Sequence, residues 1–421
     1  MPPDPGRAAS LRHMSRSGIA RFVVATLSSV VVAALAGPGP AVAAPAPPPS
    51  PSADPFYSWS APLAGAAPGT VLRTRPVAFS QAGVTAPISA TQVLYRTTAD
   101  DGSPSTTVTT VLRPPTPGPT RILSYHTAYD GLGSACDPSY TLRGYAPTRV
   151  ATAEQAVIAG WLAAGYTVVV PDYEGQDLRW TVGRESGYAA LDGIRAAQRF
   201  LRVPTSTPTG LIGYSGGSVP TQWGAELAPR YAPELRIVGA AAGGLPVDPA
   251  HNLSYVSGSP QWSGVIPALA VAYQRAYGLD LRSFLSARGL AATSSIQDQC
   301  IGTFAGAFGR LTDADMVRPP YRSLLDVEAV REAVTRNTMG TAGTPRAPLL
   351  LAVGQSDARG DTVMITADVA GLARTYCGRG ARVVYERYAG ADHTAAFPRF
   401  EASAFRYLTD RYSGSPARST C

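Results

Sequence analysis

Gly213-Tyr214-Ser215-Gly216-Gly217 fits the pattern G-x-S-x-G and lies between an apolar stretch, GLIGYS, and a helical one, SVPTQWGAELAPRYA. A serine on a sharp strand-to-helix turn has strained backbone angles. Its neighbours must then be glycine, its Oγ stands off the sheet edge, and the next N–H faces a developing oxyanion. In a chain with 42 glycines the five residues carry little weight alone, and an ordinary glycine-rich turn is the competing reading. The strand–turn–helix context makes Ser215 a candidate nucleophile and the Gly216 N–H a candidate oxyanion donor.

A serine hydroxyl needs a base, and the chain has four histidines. His13 falls in an N-terminal leader, His126 ends a strand as a packed neighbour of the site, and His251 opens a helical insertion. His393, in AGADHTAAF after the last strand, sits where the order serine, acid, histidine requires the base. The acid comes from VGQSDARGDTVMITADV, which offers Asp357 and Asp361. Asp357, three residues beyond Gly354, is preferred because the acid must lie just past its strand; Asp361, followed by Thr-Val-Met, better resembles a D-x-V-V entry into the next helix. A second oxyanion donor should come from the loop SYHTAYDGLGSACDPSY, where Asp130-Gly131 is placed to reach the site, although Asp130 also suits a plain turn.

The elements that must hold these residues follow in order. VLRTRPVAF, TQVLYRTT and TTVTTVLRP read as strands of an antiparallel opening. Strands and helices then alternate. RILSYH, YTVVVPDYEG, GLIGYS, RIVGAAAGG, PLLLAVG and ARVVYERYAG are strands, and ATAEQAVIAGWLAAG, GYAALDGIRAAQRFL and SVPTQWGAELAPRYA are helices. This rhythm predicts an α/β fold with a mostly parallel, doubly wound sheet. The pattern breaks over 246–346, which is apolar and helical without a convincing strand, so the core divides into 57–245 and 347–421 around a cap.

Arg7, Arg12, Arg16 and Arg21 precede an apolar run from Phe22 to about Leu35 and the triplet Ala41-Val42-Ala43, the layout of a secretory signal peptide over 1–44, with Met14 as an alternative start. PAPPPSPSADP then reads as a stiff disordered spacer within 45–56. Removing the leader's four arginines and Asp4 from the formal +7 leaves 32 basic and 28 acidic side chains, a net +4. The arginines are scattered, which argues against nucleic acid as a partner. The apolar run is short for a span, so no transmembrane segment is expected in the mature chain. An exported chain with Cys136, Cys300, Cys377 and Cys421 is expected to form two disulfides, with three connectivities open. No cysteine pair has metal-ligand spacing and HExxH is missing, so neither a metal nor a cofactor is implied.

YDGLGSACDPSY, VPDYEG, the GYAALDGIRAA helix, GYSGG and the order of Asp, Cys377 and His393 together resemble the secretory lipase family, typified by Candida antarctica lipase A, in a bacterial form. The similarity runs from about residue 55 through most of the chain. It implies an α/β-hydrolase fold with a helical lid and hydrolysis of carboxylic esters, including acylglycerols. It also implies an oxyanion hole at Asp130 and Gly216, and the pairings Cys136–Cys300 and Cys377–Cys421. The DARG stretch departs from the family pattern of one Asp running directly into a helix, which keeps both Asp357 and Asp361 in play. The expected partner is an acyl ester or lipid, met in solution or at a lipid–water interface, for a secreted or cell-wall-associated enzyme. A secreted peptidase is a rival within the fold, but the cap lacks an acidic cluster to hold a charged terminus. A non-catalytic envelope protein would leave the serine, histidine and acids unexplained.

Overall fold

The computed structural model of the chain describes residues 48–81, 83–145 and 148–421. The expected leader and the first residues of the expected spacer lie outside these. A nine-stranded sheet runs in the order β1-β2-β3-β5-β4-β6-β7-β8-β9. Its first three strands, β1 (Val71–Gln81), β2 (Val84–Thr98) and β3 (Pro104–Leu112), form an antiparallel meander. β3 pairs antiparallel with β5 (Thr167–Pro171). From there β4 (Ile122–His126), β6 (Thr209–Tyr214), β7 (Ile237–Gly243), β8 (Leu349–Gln355) and β9 (Val383–Ala389) continue in parallel. The antiparallel opening and the parallel remainder agree with the sequence reading, and this is the α/β-hydrolase fold.

Every residue of β4, β5 and β6 is buried. This explains why those strands read as apolar runs rather than alternating ones: both faces are covered by helices. One face carries α1 (Gly183–Leu201) and α2 (Ser218–Tyr231), with Leu191, Ile194, Leu211 and Trp223 in the same apolar cluster. The other face is covered by α3 (His393–Tyr412), an element the sequence reading did not foresee beyond His393 itself. α3 lies so close to β7 that a Cβ on Gly243 would stand 2.5 Å from the Phe400 ring, so the small residues of IVGAAAG are a packing requirement.

The segment 246–346 holds helices Pro249–Val256, Val265–Tyr277, Ala287–Ser295 and Glu328–Arg336 with shorter turns between them, and no named strand. Disulfides join Cys136 to Cys300 and Cys377 to Cys421. The first ties this helical segment to the loop after β4.

One expectation needs correction. From Pro48 on, the expected disordered spacer is seated on the domain. Arg75 is sandwiched there, its guanidinium 2.6 Å from Asp54 Oδ2 and 4.1 Å from the centre of the Phe56 ring, while Phe56 and Tyr57 are buried. Proline density predicts stiffness, but the aromatic anchors just beyond it decide whether the stretch docks.

Candidate active site

β6 delivers Tyr214 to the sheet edge, a single 3₁₀ turn holds Ser215–Gly217, and α2 begins at Ser218. Ser215 has φ +54°, in the left-handed region that non-glycine residues rarely occupy. A Cβ on Gly217 would stand 2.0 Å from the His126 carbonyl oxygen, so the turn can press against β4 only with glycine there. The sequence GYSGG therefore folds as it does because sterics leave little else.

His393 is the first residue of α3, with Asp392 as N-cap accepting from the Ala395 amide. Its Nε2 lies 2.8 Å from Ser215 Oγ and its Nδ1 lies 2.9 Å from Asp361 Oδ2. The imidazole is held from several sides. Its own amide donates to the Asp361 carbonyl (2.6 Å), its carbonyl accepts from Tyr214 Oη (2.7 Å), and the Trp262 ring stands edge-on at 5.6 Å. Asp361 is fully buried, and its other oxygen, Oδ1, accepts from the Val363 and Met364 amides.

The preference for Asp357 is thereby corrected. Asp357 is exposed and faces the helical segment, accepting from Tyr255 Oη (2.7 Å) and from the Arg359 and Gly360 amides. Position just past the strand was the wrong criterion. The chain makes a tight excursion after Gln355, with the Ser356 amide bonded to the Gly360 carbonyl, and returns to the sheet edge only at Asp361. The other two described histidines stand apart. His126 is buried between Thr221 Oγ1 (2.6 Å) and Ser124 Oγ (2.9 Å), and burial pushes its pKa down to about 3. His251 is exposed and pairs with Asp368.

The structure brings Asp130 and Gly216 together. Asp130 has φ +40° and is buried, and its carboxyl lies so close to Gly216 that a Cβ there would stand 1.8 Å from Oδ1. Trp180 Nε1 donates to that oxygen at 2.5 Å. Burial raises the Asp130 pKa to about 6, against the lowering effects of Trp180, of His393 and of the Gly216 N–H.

Several residues that hold this loop were missed in the sequence. Glu154 Oε1 accepts from the Ala128 amide (2.9 Å) and Glu174 Oε2 from the Gly131 amide (3.1 Å). Tyr173 Oη donates to the Thr127 carbonyl (2.7 Å), and the Ile301 amide donates to the Asp130 carbonyl (3.0 Å). A carboxylate within the apolar run ATAEQAVIAGWLAAG was the available signal for Glu154.

Two cavities meet at Ser215. One is a narrow slot of about 70 Å³, walled by Trp180, Val219, Leu253, Val265, Met339 and Met364. The other is a wider cleft of about 430 Å³, bounded by Arg149, Val150, Gln261, Trp262, His393 and Phe397. The helical segment supplies walls to both. Among the described residues, no group of three or more His, Cys, Asp or Glu is placed to hold a metal ion, and no helix is long and apolar enough to cross a membrane.

Against known proteins, a family model described as secretory lipase matches residues 142–420. A Mycobacterium tuberculosis protein named a probable inactive lipase is 37% identical over 380 residues, spanning 87% of this chain and 83% of that one. Lipase A of Arthroderma benhamiae is 30% identical over 387 residues, 88% of this chain and 81% of that one. Among solved structures, the closed state of Candida antarctica lipase A superposes with a TM-score of 0.81 at 26% identity, covering 89% of each chain.

Proposed function

From the chain's membership of the secretory lipase family, which makes it a carboxylic ester hydrolase, we propose that it is an exported lipase or esterase working through an acyl-enzyme on Ser215. The observation that carries this reading is the unbroken line Ser215 Oγ, His393 Nε2, His393 Nδ1, Asp361 Oδ2, with both links under 3 Å: 2.8 and 2.9 Å.

His393 accepts the Ser215 proton as Oγ bonds to the ester carbonyl carbon, and the carbonyl π electrons move onto oxygen. Asp361 holds the Nδ1–H tautomer and stabilises the imidazolium. The Gly216 N–H and the Asp130 carboxyl meet the oxyanion. Below about pH 6 that carboxyl is mostly protonated, and a developing negative charge beside it holds the proton further, so it can donate. The tetrahedral adduct collapses as His393 Nε2–H protonates the leaving alkoxide. Water, deprotonated by the same nitrogen, then releases the carboxylic acid and restores Ser215. Function outside the cell is supported by the leader pattern and by two disulfides, which persist in oxidising compartments.

A second reading, a non-catalytic member of the family, is favoured by the name of the 37%-identical mycobacterial relative. Hydrolysis of p-nitrophenyl esters of short and long acyl chains by the purified mature protein, beside Ser215→Ala, separates the two. The esterase reading expects loss of about 10⁴-fold or more in kcat in the variant, together with labelling of Ser215 by a fluorophosphonate. Equal rates in both proteins, or a folded wild type with no activity and no label, would sink it.

A further inference from the structure

Chemistry assigns the two cavities at Ser215. In the mechanism above His393 Nε2–H must reach the leaving oxygen, so the alcohol half of the ester lies on the side where the imidazole is exposed. His393 lines the wider cleft and does not line the narrow slot. The acyl half is left to the slot, which is almost wholly apolar.

The cleft is mostly apolar or neutral as well, with Ala128, Val150, Gln261, Trp262, Thr394 and Phe397 among its walls. Besides His393 and Tyr214 it holds three ionisable side chains. Asp130 and Glu154 are buried at its floor, where burial favours their uncharged forms. Arg149 is exposed at its rim.

Nothing in the fold accounts for Arg149. It makes no hydrogen bond, ion pair or ring contact with any described residue. It is the first residue of the helix Arg149–Ala163, whose N-cap Thr148 accepts from the Ala151 amide and whose first turn carries no acid. A cation there opposes the positive end of the helix dipole and weakens the helix, whereas an acid would strengthen it. An unpaired guanidinium at an unfavourable helix position, at the rim of a mostly apolar cleft next to the general acid, has the chemistry of a recognition group.

We propose that Arg149 biases the leaving-alcohol cleft toward esters whose alcohol half carries an anionic group, such as a carboxylate or sulfonate. This rests on the triad reading of Ser215 and His393 and adds a specificity residue to it. The guanidinium stays in water at the rim, so the pair forms in high dielectric. The expected preference is accordingly modest, roughly 2- to 5-fold, and sensitive to salt.

The test compares the acetate ester of 4-hydroxybenzoate with that of its methyl ester, each rate normalised to alkaline hydrolysis, for wild type, Arg149→Gln and Arg149→Lys. The expected result is a ratio of kcat/KM, anionic over neutral, that falls roughly 2- to 5-fold in Arg149→Gln through KM. The Lys variant should retain part of it, and salt near 1 M, where the Debye length is about 3 Å, should remove the difference between wild type and Gln. A ratio unchanged in Arg149→Gln, or a loss equal for both esters, would overturn the assignment while leaving the triad reading standing. Failure of wild type on both esters, or full activity of Ser215→Ala, would instead remove the triad reading and this proposal with it.

Discussion

Replacing Asp361 by Asn tests the site at the point where sequence and structure part. Asp361 Oδ1 already accepts from the Val363 and Met364 amides, at 3.1 and 2.7 Å. In the Asp361→Asn variant the side-chain carbonyl oxygen would keep that position, because the NH₂ group cannot accept. The NH₂ then faces His393 Nδ1, now 2.9 Å from a carboxylate oxygen. Two donors cannot share that contact, so the ring would shed its Nδ1 proton and carry it on Nε2, the nitrogen that must accept from Ser215 Oγ at 2.8 Å. Loss of the working tautomer together with the buried negative charge should lower kcat about 10⁴-fold, or about 5 kcal/mol of transition-state stabilisation. Folding should survive, since the two backbone bonds to Oδ1 persist. Asp357→Asn is the matched control: an exposed carboxylate bonded to Tyr255 and its own loop, expected to change kcat no more than about 2- to 3-fold. Turnover of a p-nitrophenyl ester, with thermal unfolding recorded for each variant, reads both. A loss above about 100-fold in Asp357→Asn with Asp361→Asn within about 10-fold of wild type would refute the reasoning.

Two further outcomes follow from the same geometry. Gly216→Ala would place a Cβ 1.8 Å from Asp130 Oδ1, whose retreat is blocked by Trp180 Nε1 on the same oxygen; kcat should fall about 10²- to 10³-fold, as for loss of an oxyanion donor, and an active variant would show that the two are not in contact. Glu401 is buried, with one oxygen accepting from Tyr125 Oη (3.1 Å), and burial pushes its pKa up to about 8. A carboxyl whose folded value is raised contributes its stability fully below the unfolded value, about 4.3, and loses it as pH rises through about 8. The unfolding midpoint should therefore drop between pH 5 and pH 8, and Glu401→Gln should flatten that drop; parallel curves for the two proteins would refute it.

The scaffold was legible because covered parallel strands must be apolar runs and the turn between β6 and α2 must be glycine on both sides of Ser215. Both constraints are local, and both are written in consecutive residues. His393 was legible through chain order. The acid was not, because distance past Gly354 says nothing of how the chain folds back: five residues closed by the Ser356–Gly360 hydrogen bond carry Asp357 outward and bring Asp361 to the imidazole. Burial distinguishes them, and burial belongs to the assembled fold. The same holds for α3, whose apolar face has meaning only once β7 is known to be stripped to glycine and alanine beneath it.

The loop that carries Asp130 shows the limit most sharply. A non-glycine residue at φ +40° costs on the order of 1–3 kcal/mol and persists only where its surroundings over-determine it. Here the residues around Asp130 are pinned by side chains remote in sequence, from the helix Arg149–Ala163 and from the loop that follows β5. Thr127 is held by Tyr173, Ala128 by Glu154, Gly131 by Glu174, and the Asp130 carboxyl itself by Trp180, at sequence separations of 46, 26, 43 and 50 residues. Two of the four pins are buried carboxyls, which sequence reasoning expects at the surface. They are tolerated at this depth because backbone amides of a loop outside any helix or sheet need acceptors, and a side-chain oxygen from a neighbouring element is the one available. The Cys136–Cys300 disulfide closes the far end of the loop onto the helical segment. Asp130 is thus held against Gly216 by the helix Arg149–Ala163, the loop after β5 and, through the Ile301 amide, the helical segment, and its position follows from their packing rather than from the turn sequence that contains it.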